Sequence, residues 1–170
     1  MTKTFLTLSL LAGLSALAED EPMDAVLETS AGQALRLREL WKKPTVLFYE
    51  DRDSTKLNQH VKDALFDAGS KQGLLASVDV VAVANVAKYD WFPARDFVLK
   101  AVRDVERAFR VPVYLDFKGQ LAQPPWSLPA TTSTVVVLTK TGIPVKTFKG
   151  RLSDGELQQL FAAVEAQLAR

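Results

Sequence analysis

The stretch Thr45-Val46-Leu47-Phe48-Tyr49-Glu50-Asp51-Arg52-Asp53-Ser54-Thr55 decides how the rest of this 170-residue chain is read. Its first half is β-branched, aliphatic and aromatic, with Pro44 before it and charges after it, the pattern of a short strand buried on both faces. Beyond it Leu57, Val61, Ala64, Leu65 and Ala68 recur at helical spacing. A helix over about residues 54–68 is predicted, with Asp53 or Ser54 as N-cap and Gly69 as its stop. A buried strand running straight into a helix puts the connecting loop at the carboxyl end of a sheet, where open α/β folds hold ligands and place their chemistry. Here that loop is acidic and polar.

Lys3, the apolar run from Phe5 to Ala18 and the small-residue sequence Ala16-Leu17-Ala18 before Glu19 have the three parts of a secretory signal peptide, cleaved after Ala18. The run is too short, and too rich in Ser and Thr, for a membrane span. The competing reading is a buried N-terminal helix. No cysteine stands at the cleavage point to carry a lipid, so no stable membrane anchor is expected. The expectation is an exported, periplasmic or secreted protein: signal peptide over residues 1–18, a flexible leader over 19–24 and one domain over 25–170. About 150 residues then remain, enough for a single core.

The chain has 21 Lys and Arg against 20 Asp and Glu, and loss of Lys3 with the signal peptide leaves the rest neutral. The charges are interspersed, with no basic block for a nucleic acid and no basic amphipathic helix for a membrane surface. There is no cysteine, which excludes disulfides, thiol redox chemistry, thiolate-ligated zinc and Cys nucleophiles. The single histidine, His60, leaves no His-rich metal set, and no cofactor is expected.

Taken in order, 25–29 and 33–37 form a short hairpin around Ser30-Ala31-Gly32, and 37–41 a helical turn. After the strand at 45–50 and the first helix, 78–85 reads as a second buried strand. Lys88 to Pro93 is a loop with aromatics. A second helix from near Pro93 carries the stripe Phe97, Val98, Ala101, Val102, Val105, Ala108 and Phe109. Residues 111–116 are a strand, 123–129 a Pro-rich loop, and 134–139 with 144–149 a hairpin about Lys140-Thr141-Gly142. Ser153-Asp154-Gly155-Glu156 is a capping box that opens the last helix. This βαβ unit followed by ββα is satisfied by an α/β fold with a central mixed sheet, helices on both faces and an N-terminal hairpin extension.

Val26 to Leu40, Lys43 to Tyr49, Phe109 to Gly119 and Thr134 to Gly142 resemble the thioredoxin fold, in particular its secreted redoxin-like and peroxiredoxin-like branch. Asn85 and the C-terminal third are also similar to a small periplasmic family of the YtfJ type. The resemblance implies a thioredoxin-like fold whose groove beside the first core strand holds peptides. In redox-active members cysteines lie at the exit of that strand, where a helix N-terminus favours thiolate. Asp51 to Lys56 stands there instead, and the facing cis-proline, due near Thr132 or Ser133, is also missing. The fold carries over; oxidoreductase and peroxidase activity do not, and no catalytic residue is assigned.

Two functional readings follow. The first is a redox-inactive module that binds an extracytoplasmic protein or peptide through Asp51, Asp53, Ser54, Thr55, Asn85, Tyr89, Trp91, Trp126, Thr132 and Ser133. Large aromatics in loops beside prolines are either packed on the core or anchors for a partner, and solvent exposure distinguishes them. The alternative is a cysteine-independent or metal-dependent enzyme in which Glu50, Asp51 and Asp53, near Asn85, gather oxygen ligands for a hard cation. Against it, Asp53 or Ser54 caps a helix, Asp51 pairs with Arg52 or Lys56, and Glu50 is solvated. His60 lies beside Val61 with no matching nucleophile motif and reads as a boundary histidine.

Overall fold

The computed structural model describes residues 21–109 and 111–169, so the expected signal peptide and residues 19 and 20 of the leader lie outside the described residues. The strands are β1 (Val26–Glu28), β2 (Ala34–Arg36), β3 (Thr45–Glu50), β4 (Asp79–Asn85), β5 (Val113–Asp116), β6 (Thr134–Leu138) and β7 (Pro144–Lys149). The α-helices are α1 (Gln59–Gln72), α2 (Leu74–Ser77), α3 (Ala94–Phe109) and α4 (Asp154–Leu168), with 3-10 turns at Leu37–Leu40, Ala87–Tyr89 and Gln120–Ala122.

The strands form one mixed seven-stranded sheet in the order β2-β1-β5-β4-β3-β6-β7. All six residues of β3 are buried, as its unbroken apolar run requires. It pairs in parallel with β4 from Thr45↔Asp79 to Glu50↔Ala84, and antiparallel with β6 from Thr45↔Leu138 to Tyr49↔Thr134. The β3-α1-β4 and β4-α3-β5 crossovers step across the sheet in one direction, so right-handed connections put α1 and α3 on the same face. There Val46, Phe48, Val135 and Val137 pack against Val61 and Leu65 of α1 and Leu160 and Val164 of α4. Further along that face Ala84 and Leu115 meet Val98, Leu99 and Val102 of α3. The opposite face, with Leu47, Tyr49, Val81, Val83, Val136 and Leu138, is closed by Met23, Leu37, Trp41, Leu121 and Leu128. Helical segments thus cover both faces unequally, α1, α3 and α4 on one and two 3-10 turns on the other.

Four local expectations are corrected. Met23 is buried, and the Asp24 carboxylate holds Arg36 at 2.9 Å and Arg38 at 2.5 Å, so the packed chain begins before residue 25. Trp41 fixes this start by donating its indole N–H to the Met23 carbonyl at 2.8 Å. Helix α1 begins at Gln59 rather than near Ser54, because residues 52–57 form a chain of turns and the Asn58 side chain is drawn into the core instead of capping. It ends at Gly73, in the left-handed conformation, rather than at Gly69, which lies against the side chain of Leu75.

The stripe of α3 is rotated from the one expected. Val98, Leu99 and Val102 face inward, while Phe97, Ala101, Val105 and Ala108 are exposed. Two long polar side chains turn the helix this way. Arg95 stacks 3.9 Å from the Phe117 ring centroid and pairs with Glu28 and Asp90. Glu106 accepts from the Val113 amide at 2.8 Å and from the Ser30 hydroxyl.

Candidate functional site

Because β3 and β4 run in parallel and end together, Asp51 and Asn85 emerge at one edge of the sheet, and antiparallel β6 brings Ser133 beside Glu50. The Glu50 carboxylate is buried and accepts from Ser133 Oγ at 2.7 Å and Lys62 Nζ at 2.6 Å. Lys62 also donates to the Thr55 carbonyl at 2.7 Å and lies 5.3 Å from the Phe48 ring centroid. Asn58 completes the network. Its Nδ2 donates to Ser133 Oγ at 2.9 Å and to the Gly150 carbonyl at 2.7 Å, and its Oδ1 accepts from the Leu152 amide at 2.9 Å. The exit of β3 is thereby tied to α1, to the start of β6 and to the segment between β7 and α4.

The next residues form a local turn. Asp51 Oδ1 accepts from the Ser54 amide at 3.0 Å and the Ser54 hydroxyl at 2.7 Å, and that hydroxyl accepts from the Asp51 amide at 3.1 Å. Both the proton and a lone pair of Ser54 are used inside the turn, so it is not poised as a nucleophile. Lys88 stands 3.7 Å from Asp51 and 3.6 Å from Asp53. Burial alone would push the Asp51 carboxyl up, but the Ser54 hydrogen bonds and the Lys88 ammonium together hold it below the ordinary carboxylate range.

Glu50 turns to Ser133 and Lys62, Asp51 to Ser54 and Lys88, and Asp53 is exposed. The three carboxylates do not converge, and among the described residues no group of His, Asp and Glu is arranged to hold a metal. Glu50 is buried and paired rather than solvated, and Asp51 pairs with Lys88 rather than Arg52 or Lys56. His60 is half-buried, its Nε2 donating to the Leu152 carbonyl at 3.0 Å, and its Nδ1 is buried with no partner among the described residues.

The remaining candidates divide between packed and exposed. Asn85 is buried, donating to the Ala130 carbonyl and accepting from the Ala87 amide, both at 3.2 Å. Thr132 is half-buried and Thr55 exposed. Trp126 packs against the core and donates its indole N–H to the Asp24 carbonyl at 3.0 Å. Tyr89 packs against the α3 core. Trp91 and Phe92 do not pack this way: 58 % and 84 % of their surfaces are exposed.

Their loop is nevertheless held. Asp90 pairs with Arg95 and, at 2.5 Å, with Lys118, while Trp91 donates its indole N–H to the Lys88 carbonyl at 3.2 Å. The Lys118 hydrogen bond, with burial opposing it and Arg95 adding to it, keeps the Asp90 carboxyl below its ordinary range. Sequence reasoning missed Asn58, Lys62 and Lys88. For the first two the available signal was a polar pair at i, i+4 beside Val61 in an otherwise apolar spacing.

No protein-family model matches the chain, and neither does any curated protein sequence. Solved structures do. A candidate thiol:disulfide interchange protein DsbE from Chlorobium tepidum is 18 % identical with a TM-score of 0.64, the match covering 91 % of this chain and 99 % of that one. StoA from Bacillus subtilis is 21 % identical over 84 % of this chain and 97 % of its own, at a TM-score of 0.54. The exposed lipoprotein thioredoxin Etrx1 of Streptococcus pneumoniae is 19 % identical over 82 % and 99 %, at 0.56. Likeness at this identity concerns the fold. The chain is a thioredoxin-like α/β domain, similar in fold to proteins named for thiol–disulfide exchange, and it has no cysteine.

Proposed function

We propose that this protein is an exported, redox-inactive thioredoxin-like module that binds a protein or peptide at the edge formed by Asp51 to Thr55 and Tyr89 to Phe92. One observation carries this reading: Trp91 and Phe92 are displayed to solvent on a loop that ion pairs and an indole hydrogen bond hold in place. Exposed aromatics on a fixed support make good anchors, because little conformational freedom is lost when a partner covers them. Lys88 links their loop to the turn after β3, holding the Trp91 indole through its carbonyl and Asp53 at 3.6 Å, and on that turn Asp53 and Thr55 are exposed. Asn85, through the Ala130 carbonyl, and Ser133, through Glu50, brace the edge. Export is supported by the three-part composition of residues 1–18. It is tested by N-terminal sequencing of the protein recovered from cells, expected to begin at Glu19; recovery with Met1 intact in the cytoplasm contradicts it.

Binding is tested by selecting displayed random peptides on immobilised wild type and on the Trp91→Ala, Phe92→Ala double variant. Peptides with an aromatic or aliphatic anchor are expected to be enriched on wild type and lost on the variant. Equal enrichment on both, or none on wild type, overturns the reading. Insulin reduction and peroxide consumption are expected to be blank.

A further inference from the structure

The outer face of α3 is a second apolar surface, separate from the aromatic loop. Phe97 is 69 % and Val105 46 % exposed, and Ala101 between them is exposed too. These positions follow one another at i, i+4 and i+8 and therefore form a continuous ridge, with a small residue between two large ones. The inward face of the helix is already satisfied by Val98, Leu99 and Val102, so packing within the domain does not account for the ridge. Scattered exposed apolar residues need no explanation, but an ordered row of them on a helix does.

Beside the ridge runs a row of exposed charges, Asp96, Lys100, Asp104 and Arg107, of which Asp104 and Arg107 pair with each other at 2.7 Å within the helix. The signs alternate: acid, base, acid, base. Reversing the direction of such a row reverses every sign. A copy laid antiparallel therefore sets Lys100 against Asp104 of the other copy on the same side of the paired ridges, whereas in a parallel two-fold pair the two rows fall on opposite sides and do not meet. The ridge has the same symmetry. About Ala101, Phe97 exchanges with Val105, so antiparallel pairing places large side chains beside one another and lets the two backbones approach at the small residue.

We propose that α3 is a self-association surface through which two copies of this chain pair antiparallel, about a two-fold axis near Ala101. Such an interface is isologous and closes on itself. Its two copies of Trp91 and Phe92 then lie at opposite ends of the paired helices, separated by about one helix length, roughly 24 Å for sixteen residues. Both binding edges stay open, and a partner carrying two binding segments would gain from engaging both. This inference does not rest on the peptide-binding reading.

The test is the concentration dependence of mass in solution, by sedimentation equilibrium of the purified protein, for wild type, Lys100→Glu, Lys100→Glu with Asp104→Lys, and Phe97→Glu. Wild type is expected to dimerise reversibly. Lys100→Glu should weaken the dimer by about tenfold by placing acid against acid, and adding Asp104→Lys should restore it by exchanging the signs. Phe97→Glu should leave a monomer. All four should give the same helical circular dichroism, since every substituted side chain is on the surface. A wild type that stays monomeric up to near-millimolar concentration overturns the proposal. So does a double variant that associates no better than Lys100→Glu, because that pattern means non-specific adhesion.

Discussion

Asn58 holds three separated segments with one buried amide, reaching Ser133, the Gly150 carbonyl and the Leu152 amide. Replacement by Ala takes the side-chain partner from the Gly150 carbonyl and the Leu152 amide and leaves Ser133 with Glu50 alone. A loss of about 3 kcal/mol is expected, read as a lower urea midpoint at unchanged slope. A loss below about 0.5 kcal/mol would mean that the network is incidental. Asp51 supplies a pH-dependent prediction. Its carboxyl is held below the ordinary range in the folded chain, so the stability it contributes is complete above the unfolded-state value of about 3.9 and is lost as pH falls through the lower folded value. Wild type should exceed Asp51→Asn in stability at neutral pH, and the difference should shrink below about pH 4. A difference that persists unchanged into strong acid contradicts the assignment. Of the three tryptophans, Trp41 is buried and Trp126 packed, leaving Trp91 as the one open to acrylamide. Trp91→Phe should remove the quenchable component of the fluorescence, and quenching retained in that variant would place the open indole elsewhere.

At the level of elements, glycines separate tolerated from forbidden positions. Gly142 has a φ of +87°, and an added Cβ would collide with the Trp41 indole. Gly155, in the first turn of α4, has open space around it. Gly142→Ala should therefore cost about 2 kcal/mol, while Gly155→Ala should stabilise by about 0.5 kcal/mol, both measured by thermal or urea unfolding. Similar effects at the two positions would contradict the packing described at Trp41. The same locality explains which elements were legible. The capping box is contained in four residues, and the structure has Ser153 Oγ accepting from the Glu156 amide while Glu156 accepts from the Ser153 amide. The strand β3 declares itself by an unbroken apolar run. The start of α1 was not legible because the side chain that ends the turns, Asn58, bonds to residues some 75 to 94 positions away. The rotation of α3 was hidden for the same reason: Arg95 and Glu106 look like surface charges until the hairpin of β1 and β2 is placed beside them.

On the scale of the molecule, the chain keeps the sheet and crossovers of thioredoxin-like proteins while the exit of the central strand is closed by polar bonds. Glu50 and Lys62 lie at the exit of β3, where their contacts with each other, with Ser133 and with the Thr55 carbonyl tie both groups into the fold. The grouping of Asp51, Asp53 and Asn85 at one edge was readable, since parallel β3 and β4 must end together. What the side chains do at that edge was not, because their partners come from α1, from the 3-10 turn at Ala87–Tyr89 and from the start of β6. Exposure then separates Trp91 and Phe92, which face solvent, from Trp126, which closes the core. The most direct test is amide chemical-shift mapping of a selected anchor-bearing peptide titrated into the protein. Saturable shifts confined to residues 51–55 and 88–92, and absent from the Trp91→Ala, Phe92→Ala variant, are predicted. Shifts centred instead at the other end of the sheet, around Phe66, Leu75 and Pro112, with the variant binding as wild type, would contradict the account.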